Sequence, residues 1–264
     1  MDVLLIDVDR MFSRRTVFPN LALMKISRYH KMRGDRVFLN RFKGVPDLVY
    51  ISCVFTWNRK YAFQIAKMYE CLNVEVHVGG PGVDLENKLP DEIEHLKPDY
   101  GLYRVDYSMG FTSRGCIRRC PWCIVWRKEG YIREWAPLEE FLEPRFRKLI
   151  LLDNNFLASP LWEEKLVKII RKGLMVNFNQ GLDIRLVDRD VAKLLRAVKF
   201  YNHTFKCRKL HFSWDIPSEE DEVIEGIENL FKAGFRPWEL MFYVLVGYNT
   251  TFEEDMYRVK KLIS

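Results

Sequence analysis

Short apolar runs alternate with helical patterns along almost the whole chain, and this alternation is the tightest constraint on its fold. Strand, helix and strand in repeated succession favour parallel βα units, so the order predicts an α/β protein with parallel sheets. Val3-Leu4-Leu5-Ile6 is apolar without interruption, the pattern of a strand covered on both faces. A helical pattern from Pro19 to Arg33 stops at Gly34, and Val37-Phe38-Leu39 reads as a second strand. Leu48 to Phe55 reads as a third strand. Tyr61 to Leu72 reads as a helix with Ala62, Ile65, Ala66 and Tyr69 on one face. Val74 to Val78 is a fourth strand ending at Gly79-Gly80-Pro81-Gly82, and Tyr100 to Tyr103 is a candidate fifth. Residues 1–105 are therefore expected to form a small doubly wound domain of Rossmann or flavodoxin type.

Residues 106–264 carry a second series. Its strand candidates are Tyr107 to Thr112, Leu149 to Leu152, Met175 to Phe178, Leu210 to Ser213 and Leu240 to Val246. Ser159-Pro160 reads as a helix start, Val191, Leu194, Leu195 and Val198 form one apolar face, and Ser218 with Asp221 and Thr251 with Glu254 have capping-box spacing. Five βα units in a row suggest a partial β/α barrel that is short or cut off at Ser264.

Hydrophobic residues at 48% and charged residues at 30% exclude a disordered chain. No apolar run is long enough to cross a bilayer. The first nine residues carry Asp2, Asp7 and Asp9 without a basic leader, so no signal peptide is expected and the expected compartment is cytoplasmic. The net charge of +6 allows an anionic substrate or partner, although a solvated basic surface explains it equally well.

Six cysteines are present, and three of them fall within eight positions: Cys116, Cys120 and Cys123. Cys53, Cys71 and Cys207 are scattered. A disulfide framework would be spaced more evenly, whereas a tight cluster in a reducing compartment points to a metal. The spacing Cys-x3-Cys-x2-Cys lets one loop present three thiolates to a cubane. Four would saturate it, and three leave one iron open for a ligand. A structural zinc site needs four ligands, and His95 and Cys207 are distant in sequence.

The segment Gly110-Phe111-Thr112-Ser113-Arg114-Gly115-Cys116-Ile117-Arg118-Arg119-Cys120-Pro121-Trp122-Cys123 resembles the signature of the radical S-adenosylmethionine (SAM) superfamily, including the aromatic Trp122 before the third cysteine. The resemblance implies a partial (β/α)6 barrel, a 4Fe–4S cluster on Cys116, Cys120 and Cys123, and SAM on the open iron. It implies reductive cleavage of SAM to a 5′-deoxyadenosyl radical that takes hydrogen from a substrate, with a reductant such as flavodoxin or ferredoxin. It also directs attention to strand ends. Where the superfamily carries a Gly-Gly-Glu-like motif, this chain has Leu151-Leu152-Asp153-Asn154-Asn155, so Asp153 or Asn154 is the candidate oxygen for the methionine ammonium. Gln180, Asp183 and Arg185 are candidates for ribose, carboxylate or substrate, and Asp183 with Arg185 could equally be a structural pair. Asp215 is a candidate for a ribose hydroxyl, and Gly247 for close approach of backbone to adenine.

A Rossmann-like domain ahead of such a barrel resembles the cobalamin-dependent branch of the superfamily, through Phe18-Pro19-Asn20-Leu21-Ala22-Leu23 and Gly79-Gly80-Pro81. That branch's histidine loop, Asp-x-His-x-x-Gly, is absent: the corresponding stretch reads Asp7-Val8-Asp9-Arg10-Met11-Phe12, and His30 and His77 do not fit. Cobalamin is an allowed cofactor, but its loss is the expectation, with the domain kept for packing or substrate binding and Gly79 to Gly82 as a tight turn near the barrel mouth. Finally, Arg114, Arg118, Arg119, Arg127, Lys128, Arg133, Arg145, Arg147 and Lys148 interleave with Trp122, Trp126, Tyr131 and Trp135. Such a run can track a phosphate backbone and stack bases, so RNA is a candidate partner, although a charge run is more often a solvated face. Two further readings stand beside the enzyme: an electron-transfer or sensor protein with the same cluster, and a nucleic-acid-binding zinc module.

Overall fold

The computed structural model describes residues 1–12 and 18–263, and the chain divides into two compact units, Met1–Asp106 and Tyr107–Ser264.

In the first unit, strands β1 (Asp2–Asp7), β2 (Arg36–Leu39), β3 (Leu48–Ser52) and β4 (Glu75–Gly79) form one parallel sheet in the order β2-β1-β3-β4. The connecting helices are α1 (Val8–Phe12), α2 (Leu21–Met32), α3 (Arg59–Glu70) and α4 (Asp91–Glu94). The unbroken apolar run of β1 follows from its central place. Val3 and Leu5 pack with Leu23 and Ile26 of α2, while Leu4 and Ile6 pack with Ala62 and Ala66 of α3. Both faces are covered, as a doubly wound sheet requires. Helix α2 opens at Asn20, whose side chain accepts from Leu23 N, and closes before Gly34, whose φ of +84° suits glycine.

Tyr100–Tyr103 is not a strand. The Asp99 carboxylate accepts from Gly101 N, Leu102 N donates to Asp99 O, and Arg104 takes a φ of +55°, so the chain winds through successive turns. Strand β3 also stops earlier than expected, at Ser52. Beyond it, Gly79 to Gly82 hug the departing chain: a Cβ on Gly80 would lie 2.4 Å from Cys53 O.

The second unit contains β5 (Tyr107–Gly110), β6 (Ser113–Arg114), α5 (Val125–Lys128), β7 (Arg133–Glu134), α6 (Leu138–Phe141), β8 (Lys148–Leu151), α7 (Trp162–Arg171), β9 (Met175–Phe178) and α8 (Arg189–Ala197). It continues with β10 (Lys199–Phe200), β11 (Leu210–Ser213), α9 (Glu220–Lys232), β12 (Leu240–Tyr243) and α10 (Phe252–Ile263). The described strands form a parallel sheet β10-β9-β8-β5, a separate parallel pair β11-β12 and an antiparallel ribbon β6-β7. The single continuous series expected from the sequence is thus interrupted. The short strand β10 takes the edge beside β9, and the link onward to β11 is made by Leu182 N donating to His211 O, 2.8 Å. One core joins Leu149, Leu151, Val176 and Phe178 to Leu166, Ile169, Val191, Leu195, Val223 and Leu230 of α7, α8 and α9.

Two helix starts differ from expectation. Helix α7 begins at Trp162, because the Ser159 hydroxyl is occupied by Leu161 N, Glu134 and Lys165. Ser218 lies inside a 3₁₀ turn, Pro217–Glu219, and does not cap α9. The Thr251–Glu254 box does form, with Thr251 N donating to Glu254 Oε2 at 2.7 Å and Glu254 N to Thr251 Oγ1 at 3.2 Å. β12 ends at Tyr243, short of Val246.

Gly226 lets α9 lie directly on the loop after β9, since a Cβ there would stand 2.4 Å from Ile184 O. In an open helix Gly→Ala stabilises by about 1 kcal/mol. Here overpacking reverses the sign, and Gly226→Ala is expected to destabilise by about 1–3 kcal/mol in urea unfolding. A stabilised variant would show that the contact yields without strain.

Candidate functional site

The three clustered cysteines lie on a loop pinched shut at its base. Ser113 and Arg114 pair with Glu134 and Arg133 across β6 and β7. Cys116 N donates to Gly130 O, and Gly115, at φ +89°, approaches Tyr131 O so closely that a Cβ would lie 2.3 Å away. Arg114 is held between the rings of Phe111 and Trp135, its guanidinium carbon 4.2 and 4.6 Å from their centroids, and pairs with buried Glu129.

The residues after β8 brace this loop from below. Asp153 is buried and accepts four hydrogen bonds, from Thr112 N and Oγ1 and from Ser113 N and Oγ, at 2.5–3.1 Å. Burial pushes its carboxyl upward, and the Thr112 and Ser113 donors pull it back in part. Asn154 Oδ1 accepts from Gly115 N at 3.0 Å. Both residues named from the sequence as oxygens for an ammonium are therefore engaged with the loop backbone. The next residue, which sequence reasoning passed over, reaches the thiols. Asn155 Nδ2 is 3.5 Å from Cys116 Sγ and 3.3 Å from Asp183 Oδ2.

Within the loop, Arg118 N donates to Cys116 Sγ and Val125 N to Cys123 Sγ, at 3.3 and 3.5 Å. Cys123 N donates to Cys120 O. Burial pushes the Cys120 thiol up, Cys123 and Cys116 push it further, and Arg185 opposes them, so the three sulfurs are electrostatic neighbours. All three are half-buried and free of disulfides. Among the described residues, no three Cys, His, Asp or Glu side chains already stand in metal-ligand array.

Asp183 gathers the other polar groups. It accepts from Arg185 Nε at 2.7 Å and Arg118 Nε at 3.1 Å, in addition to Asn155. Arg185 also pairs with Glu219. Burial alone would raise the Asp183 carboxyl, but hydrogen bonding and charge from Arg185, then Arg118, hold it below the usual carboxylate range. Glu219 goes the other way: burial raises it, and Arg185 offsets this only partly. Sequence reasoning counted Arg118 only in the basic run and gave Glu219 no role, because only the fold brings them to Asp183 and Arg185. The Asp183–Arg185 pair is real, and it sits against Cys120 and Asn155 rather than apart from the loop.

Trp122 meets Tyr248 edge to face, with centroids 5.0 Å apart, which brings the cysteine loop to the segment after β12. That segment and the one after β11 are tied to α10. Fully buried Arg258 donates to Trp214 O, Asp215 O, Leu245 O and Asp255, while Gly247 N donates to Asp255 Oδ2. Gly247 has φ +71° and open space where a Cβ would stand. Asp215 is half-buried, and Gln180 is exposed in the turn after β9. The basic and aromatic run is divided: Arg114, Lys128 and Arg133 turn to Glu129, whereas Arg119, Trp126, Arg127 and Tyr131 face solvent.

No family model matches the chain, and no curated protein matches it in sequence. Its fold is similar to that of the apo form of a cobalamin-dependent S-adenosylmethionine radical enzyme, OxsB, with a TM-score of 0.61 and 12% identity. The likeness covers 97% of this chain and 51% of that one, so the chain spans about half the length of this neighbour. Among the described residues no helix is long and apolar enough to cross a membrane.

The folded state holds Asp183 ionised more tightly than the unfolded chain does. Its contribution is therefore present above the ordinary value of about 3.9 and is lost as pH falls through and below it. Asp183→Asn is expected to cost about 2 kcal/mol at neutral pH and to flatten the acid limb of stability between about pH 5 and pH 3. Urea midpoints across that range measure both effects, and an unchanged acid limb would exclude the carboxylate as their source.

Proposed function

We propose that this chain is a radical SAM enzyme that cleaves S-adenosylmethionine reductively, the resulting 5′-deoxyadenosyl radical taking hydrogen from its substrate. The observation that carries the reading is the loop of Cys116, Cys120 and Cys123, rooted just beyond β5 in a chain whose fold resembles that of an enzyme of this class. The strands of the second unit, β5-β8-β9 and onward through Leu182 and His211 to β11-β12, are read as a partial β/α barrel.

The donor set suits a 4Fe–4S cluster. Three thiols lie on one loop, Cys120 feels the charge of the other two, Cys116 and Cys123 receive backbone N–H groups, and such hydrogen bonds to sulfur accompany iron–sulfur ligation. Cys116, Cys120 and Cys123 would hold the cluster, leaving one iron for SAM. When bound, the cluster supplies one electron and SAM supplies the radical. The chain's own residues position and shield these groups. Asp153 and Asn154 fix the loop. Asp183 orients Arg185 and Arg118, whose guanidiniums suit a carboxylate. Gln180, Asp215 and Gly247 follow β9, β11 and β12 and would serve ribose and base, with Trp122 and Tyr248 in contact beside Gly247. A low-potential reductant such as flavodoxin or ferredoxin is the proposed electron source.

Histidine-ligated cobalamin does not fit the first unit. Asp7, the last residue of β1, and Asp9 of α1 turn their carboxylates inward, Asp7 to Tyr103 Oη and Asp9 to Val54 N and Asn58. His30 and His77 both lie against Tyr50, a mid-strand residue of β3. The first unit is read as a packing or substrate-binding domain.

Anaerobic reconstitution with iron and sulfide, reduction and addition of SAM is expected to yield 5′-deoxyadenosine, and Cys120→Ala is expected to abolish it. A cluster that ignores SAM would favour an electron carrier instead, and full activity in the variant would overturn the ligand assignment.

A further inference from the structure

Asn155 is only 5% exposed, and its amide is oriented by what surrounds it. The nitrogen faces two acceptors, Cys116 Sγ at 3.5 Å and Asp183 Oδ2 at 3.3 Å. The oxygen is buried with no hydrogen-bond partner. Turning the amide over would aim that oxygen at a sulfur and a carboxylate, both electron-rich, so the nitrogen-inward orientation is the one the network selects. A buried amide that leaves its oxygen unsatisfied in order to face sulfur bears a desolvation cost, and such costs mark side chains kept for a purpose other than packing.

We infer that Asn155 is a positioning residue that sets the electron affinity of the cysteine centre through its N–H bond to Cys116. This inference rests on the proposed reading that the centre is an iron–sulfur cluster. An N–H donor draws negative charge from a thiolate, and it does so more strongly when the cluster carries the extra electron. It therefore favours the reduced state, in line with the dependence of cluster potentials on hydrogen bonds to sulfur. Asn155 also joins Cys116 to Asp183, and through it to Arg118 and Arg185. The centre and the site's main charge pair are thus connected through one side chain.

The test is a dithionite titration of the reconstituted protein followed by electron paramagnetic resonance. Each cluster takes up one electron, and no bond forms or breaks. Asn155→Ala and Asn155→Asp are both expected to lower the reduced-to-oxidised ratio at a fixed poise about tenfold, equivalent to about 59 mV for a one-electron couple. Asn229→Ala serves as the control: it removes a buried amide of the same unit whose Nδ2 bonds Val187 O rather than sulfur, and its ratio is expected to match that of the wild type. A wild-type ratio in both Asn155 variants would overturn the inference. So would an equal fall in Asn229→Ala, or failure of both Asn155 variants to take up iron while Asn229→Ala does, since a tuning residue is dispensable for assembly. Wild-type protein that binds no cluster would overturn the proposed function and this inference together. A cluster that forms without cleaving SAM would remove the catalytic reading and still leave the potential shift to decide the role of Asn155.

Discussion

The buried carboxylate of Asp153 is the interaction on which the candidate site depends. It accepts from the backbone and the hydroxyls of both Thr112 and Ser113. A carboxylate out of water needs this many donors, because an isolated charge in a protein interior is far too costly to keep. The donors are consecutive residues of the chain between β5 and the cysteine loop, so satisfying the charge also fixes where that loop starts. Asn154 and Asn155 follow in sequence and reach successively further into the loop, to Gly115 N and to Cys116 Sγ. One turn after β8 thus positions the loop after β5, as neighbouring strand ends of a parallel sheet allow.

The parts of the fold that could be read from the sequence were those carried by local pattern. Val3 to Ile6 declared a strand covered on both sides because no polar residue interrupts it, and the structure places a helix on each face. Met175 to Phe178 and Leu210 to Ser213 match their strands to the residue. Tyr100–Tyr103, a candidate strand, is a run of turns instead, because Asp99 binds back to Gly101 N and Leu102 N. Ser159 failed for a different reason, since tertiary neighbours occupy its hydroxyl, and Ser218 failed because a 3₁₀ turn precedes α9 and takes it in. β10 is two residues long and carries no periodicity to detect.

The site divides along the same line. The cysteine spacing is local and therefore visible. Which of Asp153, Asn154 and Asn155 faces the thiols is not visible, because three adjacent polar residues look alike until the backbone sets their directions. Arg118 was first counted within a basic run, yet its guanidinium serves Asp183, 65 residues away in sequence. Charge runs read from sequence overstate the free surface, since Arg114, Lys128 and Arg133 converge on the single buried Glu129.

The clasp made by Arg258 has a consequence for how the second unit opens. Its guanidinium, with no surface exposed, joins α10 to the carbonyls of Trp214, Asp215 and Leu245. Loosening that helix would strip three carbonyls of their donor and leave a dry cation at once, so α10 and the ends of the β11-β12 pair are coupled as one cooperative block. Opening of that edge of the unit is accordingly all-or-none, governed by α10 rather than by the loops it holds.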